Sequence, residues 1–254
     1  MSTALLATEG LSKSFGGVEA ISDLSFSIAP RTIHAVIGPN GAGKTTLFNL
    51  ITSLYTPTRG KIFLDGESIV GKSPFELARR GMSRTFQNLQ ICMNMTALEN
   101  VMVGRHLHLS RNFLAAMFRF PSVVRGDRAC REKAAELMEF VGTGQYIKTD
   151  ANSMPYGALK RLEIARALAA EPKVLLLDEP AAGLNAKETA EIDELIQKIA
   201  ETGITVVLVE HDMKLVMNIS QYILVLDFGK KLTEGTPDEV RANPDVIAAY
   251  LGTA

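Results

Sequence analysis

The segment that most constrains this chain is residues 38–46, which has the spacing G-x-x-x-x-G-K-[ST]. Its members are Gly38, Pro39, Asn40, Gly41, Ala42, Gly43, Lys44, Thr45 and Thr46. An apolar run of strand length, residues 33–37, precedes this P-loop, and a helix-like pattern follows it. Glycines let successive backbone N–H groups turn toward one anion, and a helix N-terminus adds partial positive charge. The segment therefore predicts a strand, a loop and a helix that hold the phosphates of a nucleoside triphosphate.

Several side chains can add chemistry to this loop. Lys44 can reach the β- and γ-phosphates, and the Thr45 hydroxyl can ligate Mg²⁺. Far downstream, the apolar residues 174–177 end in two acids, Asp178 and Glu179. At the carboxyl end of a parallel strand, Asp178 would face the nucleotide crevice and hold Mg²⁺ directly or through water. Glu179 would orient and deprotonate an attacking water, so the chain is predicted to hydrolyse the nucleotide.

Two further polar residues come at the ends of predicted strands. His211 follows residues 204–209, and we expect it to project toward the γ-phosphate. Taken alone, it would be better interpreted as a surface histidine at a strand end. Gln87 ends a predicted strand over residues 83–87, and its amide can ligate Mg²⁺ or position the attacking water. The sequence thus predicts Glu179, His211 and Gln87 as the catalytic group.

Charge and composition exclude several other classes of protein. The 254 residues carry a net charge of −1, so no global basic field attracts nucleic acid or anionic lipid. Only Cys92 and Cys130 are present and they are far apart, which argues against a disulfide framework or a zinc site. The longest apolar runs fall well short of the roughly 20 residues that span a bilayer, and no secretory signal is visible. We expect a cytoplasmic protein that reaches a membrane only by docking onto a partner.

The order of predicted elements indicates an α/β fold. Residues 6–28 alternate in short bursts around a Gly16-Gly17 turn, which predicts an antiparallel β-region. Apolar runs at 173–177, 204–209 and 222–226 alternate with helical patterns, which is typical of a buried, mainly parallel sheet. Without repeats or a linker, residues 1–254 are predicted to form one domain.

Two features allow alternative interpretations. Phe15, at the end of the first predicted strand, is either an aromatic ring that stacks on a nucleobase or an ordinary core side chain. Residues 106–125 interleave arginines with phenylalanine, leucine and methionine. That pattern can mean a nucleic-acid or membrane surface, but a small helix that covers a helical lobe or faces a partner suits this neutral chain better.

The order of the motifs resembles that of the ATP-binding cassette ATPases over essentially the whole chain. That resemblance implies a P-loop core with an N-terminal antiparallel β-region, an inserted helical lobe near residues 88–170, and ATP with Mg²⁺ as the bound species. It also implies a head-to-tail dimer, in which two ATPs lie between the P-loop of one subunit and the signature segment of the other. Position by position, it makes Phe15 the adenine-stacking ring, Gln87 the Q-loop residue, residues 154–158 the signature (with Tyr156 and Gly157), residues 182–185 the D-loop, and His211 the switch histidine.

A narrower resemblance is carried by residues 85–87, 156–157 with 161–166, 178–185, 210–217 and 243–252, and by the extra segment 106–125. These look like the G-type ATP-binding subunits of bacterial branched-chain amino-acid importers. The resemblance implies a second cassette ATPase, two transmembrane permease subunits and, indirectly, an extracytoplasmic substrate-binding protein as partners, with no nucleic acid. It places the chain on the inner face of the cell membrane.

The signature segment departs from the usual Leu-Ser-Gly-Gly-Gln. Pro155, Tyr156 and Ala158 replace the serine, the first glycine and the glutamine, and only Gly157 keeps the anion-binding geometry of a helix start. Tyr156 is similar to the G-type subunits, and Asn185 stands where many cassettes have Asp. We infer that the site completed by this signature is the weaker one and that the working dimer pairs this chain with a different cassette.

Other functions compete with amino-acid import. Related importers of urea, amides or aromatic acids, and the ATPase of lipopolysaccharide export, have similar motors. A non-transport cassette ATPase and a P-loop transferase such as a kinase are more distant alternatives.

The segment 88–96 carries Leu89, Ile91, Met93 and Met95, which suit either an apolar groove for a partner helix or the core of the helical lobe.

Overall fold

The computed structural model describes residues 4–108, 117 and 120–251. The strands are β1 (Leu6–Phe15), β2 (Val18–Ile28), β3 (Ile33–Ile37), β4 (Arg59–Leu64), β5 (Glu67–Ser68), β6 (Met82–Arg84), β7 (Val174–Asp178), β8 (Thr205–Val209), β9 (Tyr222–Asp227) and β10 (Lys230–Gly235). The helices are α1 (Lys44–Ile51), α2 (Pro74–Arg79), α3 (Ala97–Gly104), α4 (Pro121–Phe140), α5 (Tyr156–Leu168), α6 (Ala186–Glu201), α7 (Met213–Ile219), α8 (Pro237–Ala242) and α9 (Pro244–Leu251). Among the described residues, no helix combines the length and apolar character needed to cross a membrane.

Two sheets form the framework. The larger one has the order β10-β9-β3-β8-β7-β6, and all its neighbouring strands are parallel except β10 against β9. The smaller one, β2-β1-β4-β5, is antiparallel, as predicted for the N-terminal region. The carboxyl ends of β3, β7 and β8 meet along one edge of the large sheet, so residues that follow these strands come close together.

Both faces of the large sheet are covered, which explains its continuously apolar strands. Leu175 and Leu177 of β7 pack into a core shared with α3, α5 and α6, whereas Val174 and Leu176 pack into a second core with the small sheet and α1. Because successive strand side chains point to opposite faces, each strand needs an apolar residue at every position. The apolar run that predicted β7 is therefore a consequence of burial on two sides.

The helices α3, α4 and α5 pack against one another, and we refer to them as the helical lobe. Leu89 packs against the lobe core and Ile91 is buried, so these two residues belong to the interior, whereas Met93 is exposed. Helix α4 begins at Pro121 and so includes the end of segment 106–125. Residues 109–116, 118 and 119 of that segment lie outside the described residues, and its predicted role stays a prediction.

The predicted strand over residues 83–87 is wrong in extent. Strand β6 ends at Arg84, and Gln87 lies in the loop beyond it. The physical reason is local: the Thr85 hydroxyl accepts a hydrogen bond from Asp178 N at 3.2 Å, so a side chain replaces the next backbone acceptor of the ladder. Strand β10 was not predicted, because residues 230–235 are only partly buried and carry no apolar run.

A buried ion pair connects three elements of this framework. The Arg84 guanidinium donates to Asp178 Oδ2 at 2.7 Å, and both side chains are less than a tenth exposed. The same guanidinium donates to Asn49 Oδ1 at 2.7 Å and to Thr52 Oγ1 at 3.0 Å. Arg84 therefore ties the helix that follows the P-loop to strands β6 and β7.

Replacing Arg84 by Met is expected to lower the free energy of unfolding by about 3–5 kcal/mol, because Asp178 would keep a buried charge without a partner. Arg80→Met is the matched control, since Arg80 pairs with Glu67 at the surface and an exposed pair contributes at most about 1 kcal/mol. Urea unfolding followed by circular dichroism measures both losses. Equal losses for the two variants would contradict this account of Arg84.

Candidate nucleotide site

The P-loop joins β3 to α1 and needs glycine at two places because neighbouring backbone is very close. A Cβ atom on Gly38, whose φ is +152°, would lie 2.1 Å from the carbonyl oxygen of Leu226. A Cβ atom on Gly43, with φ +99°, would lie 2.7 Å from the carbonyl oxygen of Ala20. The loop is therefore pressed against β9 on one side and β2 on the other.

Lys44 is folded onto its own loop. Its Nζ donates to the carbonyl oxygens of Gly38 at 2.6 Å and Pro39 at 2.9 Å. Burial lowers the pKa of Lys44, and the nearby Glu179 carboxylate partly offsets that effect. An ammonium held this way can exchange carbonyl partners for phosphate oxygens with little movement of the chain.

Glu179 is the centre of the site. Gln87 Nε2 donates to its Oε2 at 3.1 Å, and His211 Nε2 lies 2.7 Å from its Oε1, which fits donation by an Nε2–H imidazole. These three side chains and P-loop residues 40–46 line a cavity of about 400 Å³. The structure thus brings the predicted catalytic residues together beside the phosphate-binding loop.

Asp178 has a partner that the sequence did not predict. It ends β7 and is 3% exposed, and one of its oxygens, Oδ2, is held by Arg84. Thr45 lines the 400 Å³ cavity, as its predicted role requires. The oxygen donors of Thr45, Gln87 and Asp178 are of the type that Mg²⁺ prefers, so the donor chemistry fits the ion. Thr45 and Gln87 line the cavity, whereas the buried Asp178 is not among its lining residues.

The signature and D-loop segments touch each other within this chain. Tyr156 opens α5, and its hydroxyl donates to the carbonyl oxygen of Ala182 at 3.4 Å. Asn185 caps α6, because its side chain accepts from Lys187 N at 3.0 Å and Glu188 N at 3.1 Å. Asn and Asp cap a helix about equally well, which explains why Asn is accepted at this position.

Phe15 is not a core residue. Its ring is 42% exposed, contacts Tyr55 edge-to-face at 5.2 Å between centroids, and has Lys13 Nζ 4.9 Å from its centroid. That exposure removes the alternative of an ordinary buried aromatic. Adenine stacking stays a prediction for this residue.

Buried charges around the site were missed by sequence reasoning. Glu210 is 4% exposed and accepts from Ala181 N at 2.8 Å and His211 N at 3.1 Å, and burial raises its pKa. It therefore holds the loop that follows Glu179, at Ala181, and the loop that follows β8, at His211. Its only signal in the sequence was its place between an apolar strand and His211. The buried cations Arg84 and Lys160, which also lie near the site, carried no local signal.

Comparison with known proteins gives a consistent assignment. The family model of the ABC transporter matches residues 21–182, and the model of the branched-chain amino acid ATP-binding cassette transporter matches residues 230–254. The chain is 48% identical to the high-affinity branched-chain amino acid transport ATP-binding protein BraF of Pseudomonas aeruginosa, over the whole length of both chains. It is 44% identical to LivG of Escherichia coli K12, which carries the same description, again over the whole length of both.

Solved structures agree with the fold. The ADP conformation of MJ1267, an ATP-binding cassette of an ABC transporter, is 31% identical, with a TM-score of 0.86 over 98% of this chain and 99% of that one. A nucleotide-free ATP-binding cassette from an ABC transporter is 30% identical with a TM-score of 0.85 and the same coverage. With a full-length relative at 48% identity and a family model over most of its length, the chain belongs to the ABC transporter family as one of its ATP-hydrolysing ATP-binding cassettes.

Proposed function

We propose that this cassette is the ATP-driven motor subunit of a membrane importer for branched-chain or other hydrophobic amino acids. The observation that carries the proposal is the Glu179 carboxylate, held between Gln87 and His211 beside the P-loop. The C-terminal match of residues 230–254 and the full-length similarity to BraF support the choice of substrate. On this proposal the chain is a peripheral protein on the inner face of the cell membrane.

Hydrolysis follows from the positions of these residues. The P-loop amides and Lys44 bind the β- and γ-phosphates, and Thr45, Gln87 and the Oδ1 oxygen of Asp178 would hold Mg²⁺, which neutralises phosphate charge when bound. Glu179 takes the proton from a water that attacks the γ-phosphorus, and the bond to the β–γ bridging oxygen breaks. His211 keeps the carboxylate oriented and contacts the γ-phosphate. ADP and inorganic phosphate leave.

The second half of the active unit is proposed to come from a different cassette. Tyr156 already bonds to Ala182 of its own chain, and Ala158 is 1% exposed, so neither offers the usual serine, glycine or glutamine contact. Gly157, at the start of α5, keeps the positive end of the helix for a phosphate of the partner's ATP. The site completed by this signature is therefore the weaker of the two.

Contact with a permease is proposed at a cavity of about 300 Å³ between α2, the loop after β6 and the helical lobe. Phe86, Val103 and Leu54 line it, and each is more than a third exposed. A short amphipathic helix of a membrane subunit would bury these apolar side chains. Phe86 precedes Gln87, so the docked helix would lie next to the residue that holds Glu179.

Replacing Glu179 by Gln is expected to lower kcat at least about 100-fold, because the general base is lost while the phosphate contacts remain. ATP binding should persist and the dimer should stay closed around unhydrolysed ATP, as size-exclusion chromatography with ATP and Mg²⁺ would show. Glu194→Gln, an exposed change on α6, should leave both properties unchanged. An inactive Glu179→Gln variant that stays monomeric would favour a P-loop transferase instead.

Replacing Val103 by Asp is expected to remove the permease subunits that copurify with this chain from gently solubilised membranes. A charge in the apolar cavity would be desolvated by the docked helix, which costs several kcal/mol. Val70→Asp introduces the same charge at a similarly exposed residue that does not line the cavity, and it should leave the complex intact. Recovery of the wild-type chain with ribosomes or DNA-bound proteins would overturn the transport proposal.

A homodimer of this chain should hydrolyse ATP much more slowly than the complete complex, because both of its sites would carry the altered signature. Steady-state phosphate release by the purified chain, compared with the complex at equal ATP-site concentration, measures the difference. Equal rates would contradict the pairing with a different cassette.

A further inference from the structure

A buried lysine on the signature helix has no role in the mechanism above. Lys160 lies on α5 and is 2% exposed, and its Nζ donates to the backbone carbonyl oxygen of Glu179 at 3.2 Å. Burying an ammonium is costly unless it is well partnered, and packing alone would be served better by an apolar side chain. The position of this charge therefore calls for another explanation.

The peptide that Lys160 contacts is conformationally strained. Glu179 has φ +50°, in the left-handed region that residues other than glycine rarely adopt. Three hydrogen bonds hold it there: Glu179 N donates to Val209 O at 2.9 Å, and its carbonyl oxygen accepts from Ala182 N at 3.2 Å and from Lys160. This conformation sends the carboxylate toward Gln87 and His211. Lys160 therefore fixes the backbone of the residue that activates water.

The other side of Lys160 faces the signature. Its Nζ is 5.9 Å from the centroid of the Tyr156 ring, and the Tyr156 hydroxyl reaches Ala182 of the D-loop. Tyr156 and Gly157 form the first turn of α5, and Lys160 is in the next turn. On the proposed function, that first turn faces the ATP bound to the partner cassette. One helix end thus contacts the partner's nucleotide and, one turn later, this chain's own Glu179.

A simpler role for Lys160 would be to balance the buried charge of Glu163, three residues on. Glu163 is 3% exposed, and burial raises its pKa. The backbone donor Gln90 N and the Arg166 guanidinium both lower that pKa more than Lys160 does. The direct hydrogen bond of Lys160 goes to Glu179, so charge balance does not account for its position.

We propose that Lys160 is a positioning residue that couples this chain's signature segment to its own catalytic carboxylate. The inference rests on the proposed function, since it takes the partner's ATP to lie at the start of α5. Binding of ATP at the partner's nucleotide site would act on Tyr156 and Lys160 and, through their contacts, on the position of the Glu179 backbone. Hydrolysis at this site would then depend on ATP at the other.

The test compares Lys160→Met, Lys160→Arg and the exposed control Lys198→Met in the assembled complex. Lys160→Met should lower kcat about tenfold or more with KM for ATP within about twofold, because the P-loop is untouched. Its melting temperature should hold or rise, since a buried charge is replaced by an apolar side chain. Lys160→Arg should restore at least half of kcat, and Lys198→Met should match the wild type.

A further measurement separates the outcomes. The Hill coefficient for ATP should fall to about 1 in Lys160→Met from a higher wild-type value. An unchanged kcat, a loss of kcat that only tracks a fall in melting temperature, or a wild-type Hill coefficient of 1 would overturn the coupling. If Lys160→Met fails to assemble, Lys160→Gln takes its place. A wild-type kcat in Lys160→Gln, together with less than half of the wild-type kcat in Lys160→Arg, overturns the proposal. A wild-type complex that does not hydrolyse ATP, or one unaffected by Glu179→Gln, would instead refute the proposed function.

Discussion

The site depends first on the buried pair between Arg84 and Asp178. It joins the helix after the P-loop, the strand that leads to Gln87 and the strand that directly precedes Glu179. A charge pair this deep gives little net stability by itself, but leaving either partner alone is strongly unfavourable. The three elements are therefore fixed relative to one another, and their arrangement determines the distances around Glu179.

Much of the fold and the site could be predicted because the signals were local. The spacing of Gly38 to Thr45 and the apolar strand before Asp178 each contain their own structural context within a few residues. The capping boxes at Ser73 and Thr96, which begin α2 and α3, likewise involve only residues three positions apart. Where a signal needed only neighbouring residues, the prediction and the structure agree, except that the strand predicted over residues 83–87 ends at Arg84.

The remaining features depend on contacts between distant parts of the chain. Arg84 reaches Asp178 across 94 positions, and nothing beside Arg84 marks it as buried. In the sequence, Lys160 is one of several basic residues on a predicted helix, and only the fold shows that it contacts Glu179. Strand β10 forms because β9 offers a free edge, although its own residues are mostly polar. Such positions are determined by tertiary packing, which cannot be predicted from the local sequence pattern or from secondary-structure propensity.

The close approach of the P-loop to β9 has a consequence for the C-terminal part of the chain. Gly229, at the turn between β9 and β10, donates its N–H to the carbonyl oxygen of Ala42 at 3.1 Å and accepts from Ser22 N at 2.9 Å. Residues 230–254, which match the model of the branched-chain amino acid cassettes, therefore begin directly after a residue that is hydrogen-bonded to the phosphate loop. A change in the turn between β9 and β10 would therefore be felt at the phosphate loop, whereas changes farther along residues 230–254 would leave this contact in place.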